Sequence, residues 1–364
     1  MVSSSSLLIL LFCVFQATSA ANATVPFKLP SLIADRTKMP HVLPNIPLDL
    51  EEKAMQINGP LPKEEPSKYG LALNATMDPL ASPYHLEARD ENTSIASRST
   101  VAVLKKHASL AFISYCRAVV PGGKWPDKLS SCPTCLDHTS VQMIAPIVSS
   151  DITDASGYVI RDDTQKTIYL VFRGTSSFGN ILADFKFFLG DYPPVGNGAK
   201  VHRGFYQSYM KIQKQVLSVM TDQLTKYPKY RVTVTGHSLG GAYATLAALD
   251  LYQRDKRFNP KNMNIITFGE PRVGNPAFAA YGVSTKLEKK RVVHNRDVVS
   301  HLPLMKMGYL HFGTEHWLQK DQKTVKICQS DYELENCSNS IVPRTSLLDH
   351  TNYFYVDIDF CLFG

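Results

Sequence analysis

Long apolar runs are scarce in this chain of 364 residues: beyond the first twenty, no run reaches the roughly 18 apolar residues that a membrane-spanning helix requires. The chain also lacks an internal repeat, a second Cys or His pair at zinc-finger spacing, and a basic helix or aromatic platform of the kind that binds nucleic acid. We therefore expect neither an integral membrane protein, nor a metal site, nor a nucleic-acid partner. With 44% hydrophobic and 20% charged residues, the composition is that of a globular chain with at least one large core.

Lys and Arg are absent from the first twenty residues. This segment nevertheless has a Ser-rich start, an apolar run over residues 7–15 and a small-residue ending at Thr18-Ser19-Ala20. An apolar run of this length is too short to cross a membrane and is typical of a cleaved signal peptide. We predict that residues 1–20 are a signal peptide and that the protein is secreted and extracellular. Asn-x-Ser/Thr sequences are then potential glycan sites, at Asn22, Asn74, Asn92 and Asn336.

Cysteine is infrequent, with seven in the chain, and one of them, Cys13, lies in the signal peptide. The six that remain are an even number, which predicts three disulfides in an oxidising compartment but leaves their pairing open. The Cys132-Pro-Thr-Cys135 run is also compatible with a redox or metal-binding motif, although no βαβ pattern surrounds it. The six are Cys116, Cys132, Cys135, Cys328, Cys337 and Cys361.

Proline is unevenly distributed: ten of the 22 prolines lie within residues 21–95, a composition that rarely forms a core of its own. Residues 1–95 hold 7 Lys plus Arg against 10 Asp plus Glu, a net charge of −3, whereas residues 96–364 hold 32 against 22, a net charge of +10. We interpret residues 21–95 as a propeptide that shields or chaperones the basic domain through its opposite charge. A flexible tail without a role is the alternative. Residues 96–364 are then the folded domain, with an approximate boundary because no dibasic site marks it.

From about residue 97 the sequence alternates between strand-like and helix-like patterns. Strands that alternate with helices are typical of a mainly parallel sheet covered by helices on both faces, so we predict an α/β fold. The helical patterns cover residues 101–115, 204–227 and 241–254, and the strand patterns cover residues 157–161, 167–172, 231–235, 264–268 and 290–293.

The run Gly236-His237-Ser238-Leu239-Gly240 fits the G-x-S-x-G motif and lies between a β-branched strand and an Ala-rich helix. This context is the structural test of the motif, in which a sharp strand-to-helix turn exposes a nucleophilic serine. Glycines flank the serine because a side chain on either flank would collide with the neighbouring helix and strand. The helix N-terminus also offers N–H groups to a developing oxyanion. We predict that Ser238 is a nucleophile; the alternative is an ordinary Gly/Ser turn.

A serine hydroxyl becomes a good nucleophile when a histidine takes its proton and a carboxylate orients that histidine. In α/β-hydrolases these follow in the order Ser, Asp, His. Asp297 is the favoured acid because it comes just past a predicted strand, at the edge of the sheet where such sites lie; a solvated turn aspartate beside Arg296 is the alternative. His350 is favoured as the base over four histidines, two of which are too close in sequence to Asp297. Those four are His294, His301, His311 and His316.

A wider pattern is carried by residues 115–121, 166–174, 235–241, 271–276, 296–301, 337–343 and 348–350. Together these segments resemble the fungal triacylglycerol lipases of the Rhizomucor and Rhizopus type, in the class 3 lipase family, from about residue 101 to residue 361. The resemblance implies an α/β-hydrolase fold with a short helical lid. It also implies the triad Ser238, Asp297 and His350, in agreement with the choice made from the residues themselves. The disulfides that it implies are Cys116 to Cys361, Cys132 to Cys135 and Cys328 to Cys337.

The same resemblance places the oxyanion hole at the backbone N–H groups of Thr175 and Leu239. Thr175 follows a predicted strand end, where two such donors can meet the developing charge. Asp184 matches a family position that orients the Thr175 hydroxyl when the site is open. Without the family match, an ordinary turn residue is the alternative for Thr175.

Directly after Thr175, residues 176–185 carry an apolar stripe at helical positions i, i+3, i+4 and i+7. Such a stripe usually lies in a core, but its place beside the oxyanion loop favours a lid that turns its apolar face to a lipid surface, as in the family. Gly179 interrupts it, and a Gly inside a helix costs about 1 kcal/mol relative to Ala, so we expect a loose lid and weak interfacial activation. The stripe consists of Phe178, Ile181, Leu182 and Phe185.

These patterns together predict a monomeric lipase that hydrolyses triacylglycerols at a lipid–water interface by two-step acyl transfer, without a cofactor. The basic charge of the domain favours residence near anionic lipid. A feruloyl esterase or a phospholipase A1 has the same fold and triad, although an apolar lid favours a lipid substrate. From another class, a catalytically silent binding protein with the hydrolase fold is the alternative.

Overall fold

The computed structural model describes residues 92–116, 132–149, 155–175, 187–196, 198–341 and 346–357. The strands are β1 (Thr93–Ile95), β2 (Val141–Val148), β3 (Ser156–Asp162), β4 (Thr167–Arg173), β5 (Leu189–Asp191), β6 (Lys200–His202), β7 (Arg231–His237), β8 (Met263–Phe268), β9 (Glu288–His294), β10 (Thr314–Leu318), β11 (Val325–Cys328), β12 (Asn352–Tyr353) and β13 (Val356–Asp357). The α-helices are α1 (Arg98–Ile113), α2 (Arg203–Lys226), α3 (Leu239–Arg254), α4 (Pro276–Ser284) and the single turn α5 (Leu348–Thr351). Within these residues, no helix combines the length and the apolar character needed to span a membrane.

A nine-stranded sheet with the order β1-β11-β10-β9-β8-β7-β4-β3-β2 forms the centre of the molecule. Its middle strands, from β4 through β7, β8 and β9 to β10, are parallel neighbours. Antiparallel strands complete both edges, with β3 and β2 on one side and β11 and β1 on the other. The prediction of an α/β fold with a mainly parallel central sheet is confirmed, and the antiparallel edges are additional to it.

Strand β4 shows how the sheet divides the core in two. Ile168, Leu170 and Phe172 point to the face covered by α2 and α3, whereas Tyr169 and Val171 pack on the opposite face with α1. Successive side chains of a strand point to opposite faces, so a strand covered on both sides is apolar throughout rather than alternating with polar residues. The predicted helices therefore lie on both faces of the sheet, as expected.

The edge strand β1 lies inside the segment that the sequence analysis assigns to the propeptide. It pairs antiparallel with β11, with Thr93 opposite Cys328 and Ile95 opposite Lys326. The folded domain therefore includes residues before position 96. The predicted signal peptide and the predicted propeptide up to residue 91 lie outside the described residues, as do Asn22 and Asn74, whereas Asn92 is exposed and Asn336 is half-buried.

Disulfide bonds join Cys132 to Cys135 and Cys328 to Cys337. All four of these cysteines are buried. Cys116 is disulfide-bonded as well, and Cys361, its predicted partner, lies outside the described residues.

Candidate active site

The turn between β7 and α3 gives Ser238 a positive φ of 59°, with ψ −132°. A non-glycine residue adopts a positive φ at an energetic cost that the surrounding structure must impose. The flanking glycines explain how the turn closes. A Cβ on Gly236 would overlap the carbonyl oxygen of Gly240, and a Cβ on Gly240 would overlap the carbonyl oxygen of Phe172 on the neighbouring strand β4. The close approach of α3 to the sheet therefore depends on both glycines.

Three side chains from distant parts of the chain meet at this turn. The Oγ of Ser238 lies 2.8 Å from Nε2 of His350, which belongs to α5. The Nδ1 of His350 lies 3.0 Å from Oδ1 and 2.9 Å from Oδ2 of Asp297, in the loop that follows β9. All three residues have a relative exposure of 0%. The structure thus brings together the three residues chosen from the sequence, in a site that solvent does not reach.

The Asp297 carboxylate is held by several donors besides His350. It accepts hydrogen bonds from the Val299 backbone N–H at 2.8 Å, the Ser300 hydroxyl at 3.3 Å and the Tyr353 hydroxyl at 2.5 Å. Burial alone raises the pKa of Asp297, but the charge and hydrogen bond of His350 and the hydroxyl of Tyr353 outweigh burial and bring this pKa below its usual range. Asp297 is therefore an ionised, acceptor-only partner for His350.

Gly269, which directly follows β8, allows the acid and the base to meet. Its φ is +58°, and a Cβ on it would lie 2.8 Å from both Oδ2 of Asp297 and Nδ1 of His350. Both values are shorter than any real Cβ contact, so a side chain here would separate the two groups. No local pattern predicts a role for Gly269 or for Tyr353, although each stands next to a recognised feature: Gly269 follows a predicted strand, and Tyr353 follows His350 by three residues.

The four competing histidines have other surroundings. Each is buried, and each has a ring nitrogen hydrogen-bonded to a backbone carbonyl oxygen. The pairs are His294 with Asp349, His301 with Asp297, His311 with Ser300 and His316 with Thr314. Among these four, burial lowers the pKa of His311 and His316, so both favour the neutral form. The four are His294, His301, His311 and His316.

One predicted oxyanion residue, Leu239, follows Ser238 directly, and the other, Thr175, follows a residue that packs against Ser238. Leu239 is the first residue of α3, and the first N–H groups of a helix have no partner within it. Thr175 follows Gly174, whose backbone packs against the serine so closely that a Cβ on Gly174 would lie 2.9 Å from the Cβ of Ser238. Asp184 and the lid residues Phe178, Ile181, Leu182 and Phe185 lie outside the described residues.

One group of potential metal ligands occurs among the described residues, formed by Glu315, Cys328 and Cys337. Its two cysteines are bonded to each other, and a thiolate rather than a disulfide sulfur is the metal ligand. The Glu315 carboxylate also accepts hydrogen bonds from Arg291 and from the Ser338 backbone N–H. This group is therefore a structural junction between strands and a loop.

The central sheet, the strained serine turn and the buried Ser-His-Asp contacts together define a protein of the α/β-hydrolase class. A model of the family described as Lipase (class 3) matches residues 169–307. The chain is 45% identical over 342 residues to a lipase from Rhizomucor miehei, a match that covers 94% of this chain and 92% of that protein.

Solved structures agree with this match. Lipase II from Rhizopus niveus superposes with a TM-score of 0.70 and 47% identity, over 74% of this chain and 100% of its own. A triacylglycerol lipase whose catalytic centre is formed by a serine protease triad superposes with a TM-score of 0.69 and 45% identity, over 74% of this chain and 99% of its own. The chain belongs to the class 3 lipase family, and the resemblance identified in the sequence is confirmed.

Proposed function

We propose that the chain hydrolyses carboxylic esters, with Ser238 as the nucleophile, His350 as the general base and Asp297 as the group that orients His350. The observation that carries this proposal is the pair of contacts of 2.8 Å from Ser238 Oγ to His350 Nε2 and 2.9 Å from His350 Nδ1 to Asp297 Oδ2. An ionised carboxylate only accepts hydrogen bonds, so Nδ1 carries the proton of the neutral imidazole. Nε2 is then the acceptor of the serine hydroxyl, which is the tautomer that a general base requires.

The reaction follows from this arrangement in two halves. Ser238 Oγ attacks the ester carbonyl carbon while its proton passes to His350 Nε2, and the tetrahedral intermediate then expels the alcohol, which takes that proton. Water next gives a proton to Nε2 as it attacks the acyl-enzyme. The bond to Ser238 Oγ breaks, Oγ recovers the proton, and the fatty acid leaves.

The backbone N–H groups of Thr175 and Leu239 are the proposed donors to the oxyanion. Their places near Ser238, just after the end of β4 and at the N-terminus of α3, support this role. Removing one such donor typically lowers kcat by about 10²- to 10³-fold. Asp184 is proposed, on the family resemblance alone, to orient the Thr175 hydroxyl.

Triacylglycerols are the proposed substrates. The related proteins that match over most of this chain are lipases, and one of the superposed structures is a triacylglycerol lipase. Two leucines beside the proposed base are solvent-exposed, Leu347 at 38% and Leu348 at 82%. Exposed large apolar side chains at the rim of a site favour contact with lipid over contact with a polar ester.

A lid over residues 176–185 is proposed to control access. Ser238, Asp297 and His350 are all buried, so an ester reaches the serine only after some segment moves. Measuring hydrolysis of tributyrin across its solubility limit tests this, with only a modest rise in rate expected when droplets form, because Gly179 loosens the lid. Equal specific activity on dissolved and emulsified ester would contradict gating by the lid.

The protein is further proposed to be a secreted monomer whose signal peptide and propeptide are removed. The match to the Rhizomucor miehei lipase covers 342 residues, which is more than the chain contains from Asn92 onward, so the match includes part of these two segments. Because β1 is hydrogen-bonded to β11, we place processing N-terminal to this strand rather than after Ile95. N-terminal sequencing of the enzyme from culture medium tests the position, and its elution volume in gel filtration tests the monomer.

Two assays separate this function from its alternatives. Triolein emulsion should be hydrolysed faster than methyl ferulate or a phospholipid, and the reverse order would favour a feruloyl esterase or a phospholipase A1. An organophosphonate should label the wild type but not Ser238→Ala. An unlabelled wild type would favour a silent binding protein.

A further inference from the structure

Two buried residues that the hydrolytic steps do not use connect the end of β4, next to Thr175, to the proposed base. The ring of His237, the last residue of β7, lies with Nε2 2.7 Å from the backbone carbonyl oxygen of His350. Its Nδ1 lies 2.8 Å from the hydroxyl of Tyr115, which follows α1. Both residues are buried, so these contacts are formed away from water.

The protons on this chain of contacts can be assigned. A carbonyl oxygen only accepts, so Nε2 of His237 is the donor to His350. Burial, followed by the charge of His350, holds the pKa of His237 well below its ordinary value, so the ring carries a single N–H. Nδ1 is therefore an acceptor, and the Tyr115 hydroxyl donates to it.

The other end of the chain of contacts reaches Gly174, the residue before Thr175. Burial, the largest influence, raises the pKa of the Tyr115 phenol, while the Arg173 charge and, after it, the Gly174 backbone lower this pKa. The Gly174 backbone is therefore close to the Tyr115 oxygen. Packing supports the contact, because a Cβ on Gly174 would overlap this oxygen.

Ring contacts hold His237 between α1 and His350. Its centroid lies 4.5 Å from that of Phe112 on α1 and 4.5 Å from that of His350 itself. A displacement of His237 would therefore move either the backbone or the ring of the proposed base.

We propose that Tyr115 and His237 are positioning residues, which hold Gly174 and therefore the Thr175 oxyanion donor at a fixed distance from His350. This inference rests on the proposed function. Oxyanion donors act when they lie about 2.7–3.1 Å from the charge that develops, so small displacements of the strand end are costly to the rate. We refer to the two residues as the Tyr115–His237 relay.

Three variants remove different contacts of the Tyr115–His237 relay. Tyr115→Phe removes both contacts of the hydroxyl. His237→Gln can still donate to the His350 carbonyl but cannot serve Tyr115 with the same geometry, whereas His237→Asn retains an acceptor near Nδ1 and loses the reach to His350. The matched control is Tyr158→Phe, which removes a 2.6 Å hydrogen bond from a buried hydroxyl to the Leu110 carbonyl oxygen.

We expect Tyr115→Phe to lower kcat on soluble p-nitrophenyl butyrate about tenfold with KM within about twofold, since a donor to the transition state is misplaced and substrate binding is not. Affinity for a boronic acid, whose tetrahedral adduct resembles the intermediate, should fall by the same factor. The Tyr115→Phe/His237→Gln double variant should lose no more than the worse single variant, because both act through one chain of contacts.

Three results would each contradict the proposed role of the relay. The first is unchanged kcat and boronate affinity in Tyr115→Phe and in both His237 variants. The others are multiplicative losses of kcat in the double variant, and a loss of kcat in Tyr115→Phe that is equal to that in Tyr158→Phe. If Tyr115→Phe does not fold, His237→Gln and His237→Asn are compared by the same two measurements. A wild type that neither hydrolyses the ester nor takes a phosphonate would instead overturn the proposed function itself, and the relay with it.

Discussion

The hydroxyl of Tyr353 donates a 2.5 Å hydrogen bond to Oδ2 of Asp297, the same oxygen that faces Nδ1 of His350 at 2.9 Å. The carboxylate is thus shared between the imidazole and a phenol on β12. A second donor to the acid fixes its orientation and favours its ionised form. Burial raises the pKa of Tyr353 well above its ordinary value, so the phenol stays protonated and remains a donor.

The first prediction concerns this bond. Tyr353→Phe should lower kcat on p-nitrophenyl butyrate at least about tenfold with little change in KM, because a hydrogen bond to a charged group contributes about 1.5–3 kcal/mol. Tyr209→Phe is the control, since it removes a 2.8 Å bond from a buried tyrosine to Asp250, away from the serine. It should lower the unfolding free energy and leave kcat unchanged. Equal kcat in the two variants would show that Tyr353 does not orient Asp297.

Gly269 gives a second prediction. Gly269→Ala should reduce kcat about a hundredfold or more, because its Cβ would lie 2.8 Å from both Asp297 and His350 and misplacement by about 1 Å can cost that much. Gly196→Ala is a matched control, since Gly196 has a similar φ of +63° but open space around its Cβ. It should cost only the backbone strain, about 1 kcal/mol of unfolding free energy. An active Gly269→Ala enzyme would contradict the steric argument.

The buried ion pair of Arg272 with Glu333 gives a third prediction. Its shorter contact is 2.6 Å, and both side chains are 2% exposed. Burial raises the pKa of Glu333, but the Arg272 charge outweighs it and brings this pKa well below its ordinary value. Arg272→Met should therefore lower the unfolding free energy by about 3–5 kcal/mol, because it leaves a buried carboxylate unpaired.

Denaturation in urea measures this change, with two comparisons. Adding Glu333→Gln to Arg272→Met should restore part of the stability, since the unpaired charge is gone. Lys226→Met removes the exposed pair with Asp222 and should change the unfolding free energy by less than about 0.5 kcal/mol. A small effect of Arg272→Met would mean that water reaches Glu333.

A fourth prediction concerns pH. Burial lowers the pKa of His107 from 6.5 to about 4, and the bond to the Val103 carbonyl only partly opposes this. Between those values the unfolded chain binds a proton that the folded chain does not, so stability is highest above pH 6.5 and falls as the pH decreases toward 4. One such histidine contributes at most about 3 kcal/mol. In His107→Gln, the unfolding free energy should decline less between pH 7 and about pH 4.5 than it does in the wild type. Parallel curves of unfolding free energy against pH would exclude His107 as a source of the acid sensitivity.

Much of the fold followed from short-range patterns. The predicted strand at residues 231–235 and helix at 241–254 correspond to β7 and α3, because apolar periodicity and β-branching act within one element. The turn at Ser238 is likewise local, since its glycines are needed by neighbours within a few residues and by the strand alongside.

Other features depended on contacts that no local pattern encodes. Ser238 and Asp297 meet His350 from 112 and 53 residues away, and Tyr115 meets His237 across 122. The choice of His350 thus became specific through the family resemblance, and spacing alone favoured it only slightly. The antiparallel pairing of β1 with β11 was also missed, because a strand of three residues has too little pattern of its own.

The sequence by itself determined the serine, its glycine-flanked turn and the alternating elements that build the sheet, because these follow from backbone conformation and periodicity between near neighbours. Tertiary structure alone decided that Tyr353 would hold Asp297, that Gly269 would stand where acid and base converge, and that Tyr115 would reach His237. Each of these depends on distances between segments that only the packing of helices on both faces of the sheet brings together.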